Sequence, residues 1–347
     1  MEKRQQNFEL LRIIAMFMIV VSHVITHYIM KADIEISSVN NFLLSLLRAV
    51  IYVCVNVYII ITGYFSVNSK QLKIKKIMNA ALLPGFISAI LLMVLMVFGV
   101  IDFDIWRIVG KLFATFRGEY WFISTYFALC LFIPFLNKII HTLSQKEFQQ
   151  FLFLLTSVGI IWPFFVDSKE FVAFNSGFSL IFFFFLYFVG AYIRLYGAFF
   201  KDFTRNQYLI GYLMLALVTG ILQFALPEID FLNYNGPFEF TMSYFIFMYI
   251  KNVKVNSVKI NTIATYTLSV YLVHEQAEIR EFIWNLPFIH QIIQWSPFTF
   301  IPAIIFVAVI VFTVSWIIGY TLTNLYNKVE QFVFYVLETR AGNPTIE

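Results

Sequence analysis

Residues 9–30 read "ELLRIIAMFMIVVSHVITHYIM", an apolar run as long as a lipid bilayer is thick, and runs of this kind recur along the chain. A helical crossing needs roughly 20 such residues. In lipid every backbone N–H and C=O must be satisfied within the structure, so only helices or closed barrels can span. Long continuous runs, rather than short alternating ones, select helices. Only 13% of residues are charged, about half of the roughly 25% found in soluble domains. The expectation is an all-α polytopic membrane protein. Its net charge of +4 then reflects orientation in the membrane and does not point to nucleic acid.

Ten transmembrane helices are expected, over 9–30, 41–65, 78–101, 120–140, 148–166, 178–196, 207–226, 238–253, 260–275 and 298–326. The eighth and ninth are short. With the N-terminus inside, sixteen of the 24 Lys and Arg fall in inside segments against six outside. That bias predicts an even number of crossings and both termini in the cytoplasm. The first run exceeds a signal-peptide core and no small-residue cleavage site follows it, so it is expected to remain as the first helix. One membrane domain, 1–326, is expected to precede a C-terminal cytoplasmic tail, 327–347. In the tail, "NKVEQFVFYVLETR" puts Val329, Phe332, Val333 and Val336 on one face suited to a membrane surface. Cys54 and Cys130 lie in apolar runs and read as buried small hydrophobes.

The first helix carries charges that lipid would not tolerate. Arg12 and His23 are eleven positions apart, almost a whole number of turns, so they share a face about 16 Å apart along the axis, and His27 joins it. Ionisable groups at membrane depth face protein or a wet cavity. The competing reading makes Arg12 a snorkelling side chain and His23 an interhelical hydrogen-bonding group. Arg48, within the second helix, is expected to face the interior for the same reason. Gly63 and Gly190 are expected to allow close helix packing.

"NFELLRIIAMFMIVVSH" resembles the first helix of the membrane-bound acyltransferase 3 family, O-acetyltransferases of bacterial surface polysaccharides, whose signature is an arginine and a histidine separated by ten residues. "YIIITGYFSV" (58–67), "YWFISTYFALCLFIPFLN" (120–137), "FFLYFVGAYI" (184–193) and "TYTLSVYLVHE" (265–275) resemble further family segments in the same order. The resemblance implies transfer of an acetyl group from cytoplasmic acetyl-CoA to a sugar hydroxyl, with His23 catalytic and Arg12 its partner. It also implies the bacterial plasma membrane as location. The family's pair of arginines before the third helix is replaced here by Lys73 and Lys76 in "KQLKIKKI"; point charges still suit phosphate.

The residues themselves allow that chemistry. Lys70, Lys73, Lys75 and Lys76 are the densest cationic cluster, although the positive-inside rule alone would also place them there. Lys73, Lys75, Lys76 and Arg48 are the expected acetyl-CoA contacts. His23 can act as general base toward a hydroxyl, oriented by one of Glu9, Asp104, Glu239 or Glu275, among which sequence does not choose. Tyr120, Trp121, Ser124, His274 and Glu275 are expected at the acceptor, or else in the aromatic belt of the interface. His141 and His290 are given no role, and no metal is expected. Expected partners are membrane lipid, acyl-CoA, a glycan acceptor and polysaccharide-synthesis proteins. A transporter or flippase of glycan precursors, or a non-catalytic assembly partner, is the alternative. A carrier would show internal repeats and helices broken near the midplane; no repeat is visible, and Pro84 and Pro134 fall near the expected helix ends.

Overall fold

The computed structural model describes residues 5–30, 35–165, 174–284, 291–292 and 295–340. Lys3, Arg4, Lys31, Lys169, His290 and the last seven residues of the expected tail lie outside the described residues. Among the described residues the structure is helical, with no strand. In chain order the helices are α1 (Gln6–Val24), α2 (Ser38–Ile51), α3 (Cys54–Ser66), α4 (Ile74–Val97), α5 (Ile105–Leu112), α6 (Trp121–Thr142), α7 (Gln145–Thr156), α8 (Trp162–Phe165), α9 (Leu180–Tyr196), α10 (Arg205–Ala225), α11 (Pro237–Lys251), α12 (Val258–Thr265), α13 (Thr267–His274), α14 (Ala277–Trp284) and α15 (Pro297–Arg340).

Seven helical segments among the described residues are long and apolar enough to cross a bilayer: Gln6–His27, Ser38–Ser66, Ile74–Val97, Trp121–Thr142, Gln145–Phe165, Arg205–Ala225 and Pro297–Val336. The chain is a multi-pass membrane protein. The other three expected spans fall on shorter elements: α9, α11, and α12 with α13. The 17 residues of α9 reach about 26 Å, just short of a hydrocarbon core of roughly 30 Å.

The structure also corrects several boundaries. The helix expected over 41–65 begins at Ser38, where the Ser37 hydroxyl caps the Asn40 N–H, and it is interrupted at Tyr52 and Val53. Tyr212 donates its hydroxyl to the Val50 carbonyl beside that interruption. The stretch over 260–275 breaks at Tyr266, whose hydroxyl donates to Asn324 Oδ1 at 3.1 Å. Helix α15 does not stop at 326 but continues through Arg340, so the amphipathic stretch extends the last helix, and Glu330 meets Lys75 at 3.6 Å. Because α4 starts at Ile74, Pro84 sits near its middle rather than its end, and the helix passes through it unbroken.

Two glycines hold the tightest crossing. A Cβ on Gly63 would stand 2.1 Å from the Tyr187 carbonyl oxygen, and one on Gly190 would stand 2.1 Å from that of Ile60. The backbones of α3 and α9 therefore touch directly, as their small residues led one to expect.

Side-chain bonds sort the helix ends into two groups. At one end of the bundle Asn7 donates to the carbonyls of Ile250 and Lys251, both at 3.1 Å, and Asn137 donates to those of Ser66 and Ser69 at 2.7 and 2.8 Å. At the other end the close of α1 meets the close of α13, and α5 meets α14.

Candidate active site

Arg12 lies toward the start of α1, ion-paired with Glu9 one turn earlier. Its guanidinium carbon is 6.0 Å from the Phe65 ring centre, and its carbonyl accepts from the Tyr58 hydroxyl at 2.7 Å. After Val24 the helix widens into one π turn, Ile25–Ile29. Such bulges occur frequently at functional sites. Here the turn carries His27, whose Nε2 is 3.2 Å from Glu275 Oε2.

His274, the last residue of α13, is completely buried, and its Nδ1 is 2.6 Å from the Val270 carbonyl. A carbonyl only accepts, so this nitrogen carries the proton and the neutral ring presents a lone pair at Nε2. His23 Nδ1 is 3.0 Å from that lone pair and 3.1 Å from Glu275 Oε2. Both neighbours are acceptors, so His23 Nδ1 is the donor. The other nitrogen, Nε2, is left unprotonated, as a general base requires. Arg280 donates to Glu275 Oε1 at 2.6 Å, so one carboxylate gathers two imidazoles and a guanidinium.

His23, His274 and Glu275 each bring one ligand atom within 4.8 Å of the others, a set that a divalent cation could use. Two nitrogens on one zinc, each at about 2.1 Å in tetrahedral geometry, would sit roughly 3.4 Å apart. The 3.0 Å between His23 and His274 is a hydrogen-bond distance between two ring nitrogens, and the carbonyl on the far nitrogen of His274 suits a proton-sharing or a metal-ligating ring equally.

Short helix α5 is tied to the region of the site through α14. Asp104 caps α5 by accepting from the N–H groups of Trp106 and Arg107 at 2.8 and 3.3 Å. Glu278 of α14 receives Arg107 and Lys111, each at 3.1 Å, and Lys111 also reaches Glu119 at 2.9 Å. Burial alone would raise the Glu278 carboxyl, but the Lys111 ammonium and the bonds it receives hold it below the ordinary carboxylate range. Arg280, two residues further along α14, is thus presented from an anchored element.

Lys73 and Lys76 line one small recess with Ser66, Ser69, Gln71 and Cys130, at the opposite end of the bundle from His23. Lys75 turns away to Glu330 and is 76% exposed. Between the recess and His23 runs an aromatic ladder: Lys76 Nζ lies 5.1 Å from the Tyr126 ring, Tyr126 stacks on Phe122 at 6.0 Å, Phe122 meets Tyr271 at 6.3 Å, and Tyr271 meets His23 at 6.1 Å.

Over residues 5–320 the sequence matches a family described as an acyltransferase domain. The chain belongs to that family. No curated protein and no solved structure gives a significant match. In this acyltransferase the segments singled out in sequence converge: the histidine of the first helix meets the histidine that closes "YLVH", and the two lysines spaced three apart share a recess.

Not every expected site residue joins them. Arg48 lies over Tyr52 with its guanidinium carbon 6.0 Å from the ring, about 27 Å of helix from Ser66, so it is not grouped with the lysines. The Tyr120 hydroxyl donates to the Leu272 carbonyl at 3.0 Å and that of Ser124 to the Thr115 carbonyl at 2.6 Å; both brace neighbouring backbone. Trp121 packs on Phe178 and Tyr234. His274 and Glu275, expected at the acceptor, instead contact His23 itself. Of the four carboxylates open in sequence, Glu275 is the one on His23; Glu9 pairs with Arg12, Asp104 caps α5, and Glu239 is buried in α11. Arg280 was missed, although its place five residues after Glu275 was visible.

Proposed function

We propose that this acyltransferase is an O-acetyltransferase of the bacterial plasma membrane. It moves an acetyl group from cytoplasmic acetyl-CoA to a hydroxyl of a cell-surface or exported polysaccharide, or of its lipid-linked precursor. The observation that carries the reading is the His23 ring, pinned through Nδ1 by His274 and Glu275, with no partner at Nε2 among the described residues. His23 Nε2 takes the proton of the attacking hydroxyl as the new O–C bond forms, Glu275 stabilises the imidazolium, and the proton returns to the departing thiolate as the C–S bond breaks. No acyl-enzyme is needed. The donor supplies the activated acyl group, and its phosphates suit Lys73 and Lys76, which present two cations at one small recess.

In this reading all ten helical segments cross the membrane, the three shorter ones included, and both termini are cytoplasmic. Lys73, Lys76 and Arg12 then stand toward the cytoplasm and His23 lies in the outer half, with the aromatic ladder lining the path between. Membrane lipid surrounds the bundle, and polysaccharide-synthesis proteins are its natural neighbours. No metal takes part.

The test is transfer of label from acetyl-CoA into host surface polysaccharide, comparing the intact protein with His23→Ala at matched membrane abundance. Label that enters with the intact protein and not with the variant supports the reaction and the base. Failure of label to enter with either, while polysaccharide export still depends on the protein, would overturn the proposal.

A further inference from the structure

The loop 226–236, the close of α8 and the turn before α9 enclose a cavity of about 300 Å³ that the chemistry above does not use. That is the small end of the range for ligand sites. Phe164, Phe174 and Phe231 form apolar wall, and Glu228, Asp230 and Asn233 supply polar groups. Among the described residues no Lys, Arg or His lines it.

A second feature lies behind the wall at Gly236. Glu239 is 0% exposed, and neither of its carboxylate oxygens has a hydrogen-bond partner among the described residues. Its Oε2 would be 3.0 Å from a Cβ at Gly236, a cavity residue, so the carboxylate lies against that glycine without itself lining the cavity. Asn56, also 0% exposed, donates to the Tyr234 carbonyl at 2.8 Å and keeps its own Oδ1 unpartnered. Buried acceptors without donors are costly and rare. Here they cluster around one loop, and that loop also forms the cavity.

The same loop reaches toward the reacting centre. Tyr234, between cavity residues Asn233 and Asn235, stacks on Tyr52 at 5.0 Å and on Trp121 at 6.2 Å. Trp121 adjoins Phe122, which leads through Tyr271 to His23. In the cavity itself Phe164, Phe174 and Phe231 offer the apolar surface that suits the C–H edges of sugar rings.

We propose that this cavity binds a sugar unit of the acceptor glycan, one that offers hydrogen-bond donors and carries no anionic group. The word acceptor rests on the transferase reading above; the binding chemistry does not. Carboxylates and amide oxygens with no compensating cation among the described lining residues welcome hydroxyl and ammonium donors and repel uronates and phosphates.

The test uses the purified full-length protein in lipid nanodiscs and three probes: cellotetraose, a glucosamine tetramer and tetragalacturonate. Binding is followed by saturation-transfer NMR, with acetyl-CoA binding measured on the same preparations. Saturable binding of the first two probes and not of the third is expected. Asp230→Asn and Glu228→Gln should each weaken the glucosamine tetramer about tenfold, the effect of one charge-assisted hydrogen bond, without changing acetyl-CoA binding. No saturable sugar binding, equal binding of tetragalacturonate, or unchanged affinity in both variants overturns the inference. Sugar binding without acetyl-CoA binding would instead leave the cavity standing and sink the transferase reading.

Discussion

His274 determines which nitrogen of His23 is free. Their facing nitrogens are 3.0 Å apart, and the Val270 carbonyl on the far side of His274 forces the proton between them onto His23. Glu275, 3.1 Å from the same His23 nitrogen, is positioned to steady the charge that the ring acquires. Glu275→Gln replaces that charge with an amide able to donate where it should accept. The expected result is a fall in kcat of about 100- to 10,000-fold with little change in the KM for donor, as for other removals of an acid–base partner. His274→Ala should act in the same direction and more weakly, because Glu275 still holds the tautomer. A large rise in KM with kcat intact would show that the pair binds substrate instead.

Chelation separates the proton-sharing arrangement from a metal centre built on the same three residues. The rate of acetyl transfer is expected to survive prolonged dialysis against EDTA, and added zinc should inhibit by occupying the His23 lone pair. Activity lost on dialysis and restored by zinc would replace the general-base account with a metal-bound one.

Lys73 and Lys76 share a recess, while Lys75 faces Glu330. Lys73→Met and Lys76→Met are each expected to raise the KM for acetyl-CoA about 10- to 100-fold, the worth of a hydrogen bond to a charged group, with kcat changed less. Lys75→Met should leave both constants near their starting values. Equal effects from all three substitutions would mean that the loop acts only as a diffuse field.

Much of this arrangement was legible in the sequence, and for physical reasons. Apolar length fixes a helix wherever lipid surrounds it, and eleven residues put Arg12 and His23 on one face regardless of what packs there. The partner of His23 was not legible, because Glu275 reaches it from a helix some 250 residues away in sequence, through a break at Tyr266 that no local pattern announces. Arg48 misled for a related reason: a buried charge demands a protein environment, but its position along the axis, not its type, decides whose environment that is. The interruption at Tyr52 and the continuation of α15 past 326 likewise lie beside partners distant in sequence, Tyr212 and Lys75.

The crossing of α3 and α9 has no room for a side chain at Gly63 or Gly190, since the obstructing atoms are carbonyls in the facing backbone. Gly190→Ala should therefore force the helices apart and reduce stability by about 1–3 kcal/mol or more. A drop in the amount of folded protein extracted from membranes, shared by Gly63→Ala, is the expected readout. Wild-type abundance and melting behaviour in both variants would mean that the two helices do not touch in the membrane.

The clamp between α5 and α14 is sensitive to pH in a defined direction. The Glu278 carboxyl is held below its ordinary value of 4.5 by Lys111 and its neighbours. A depressed carboxylate contributes stability above its unfolded pKa and loses it as pH falls through the folded value. Lys111→Met should thus lower the Tm of the purified protein at neutral pH, by an amount equivalent to about 1–3 kcal/mol. The gap from the intact protein should narrow as pH falls through the lowered folded value of Glu278, where that carboxyl takes up its proton and Lys111 loses the charge of one of its two carboxylate partners. A gap that stays constant across that window would assign the effect of the substitution to lost packing around the Lys111 stem.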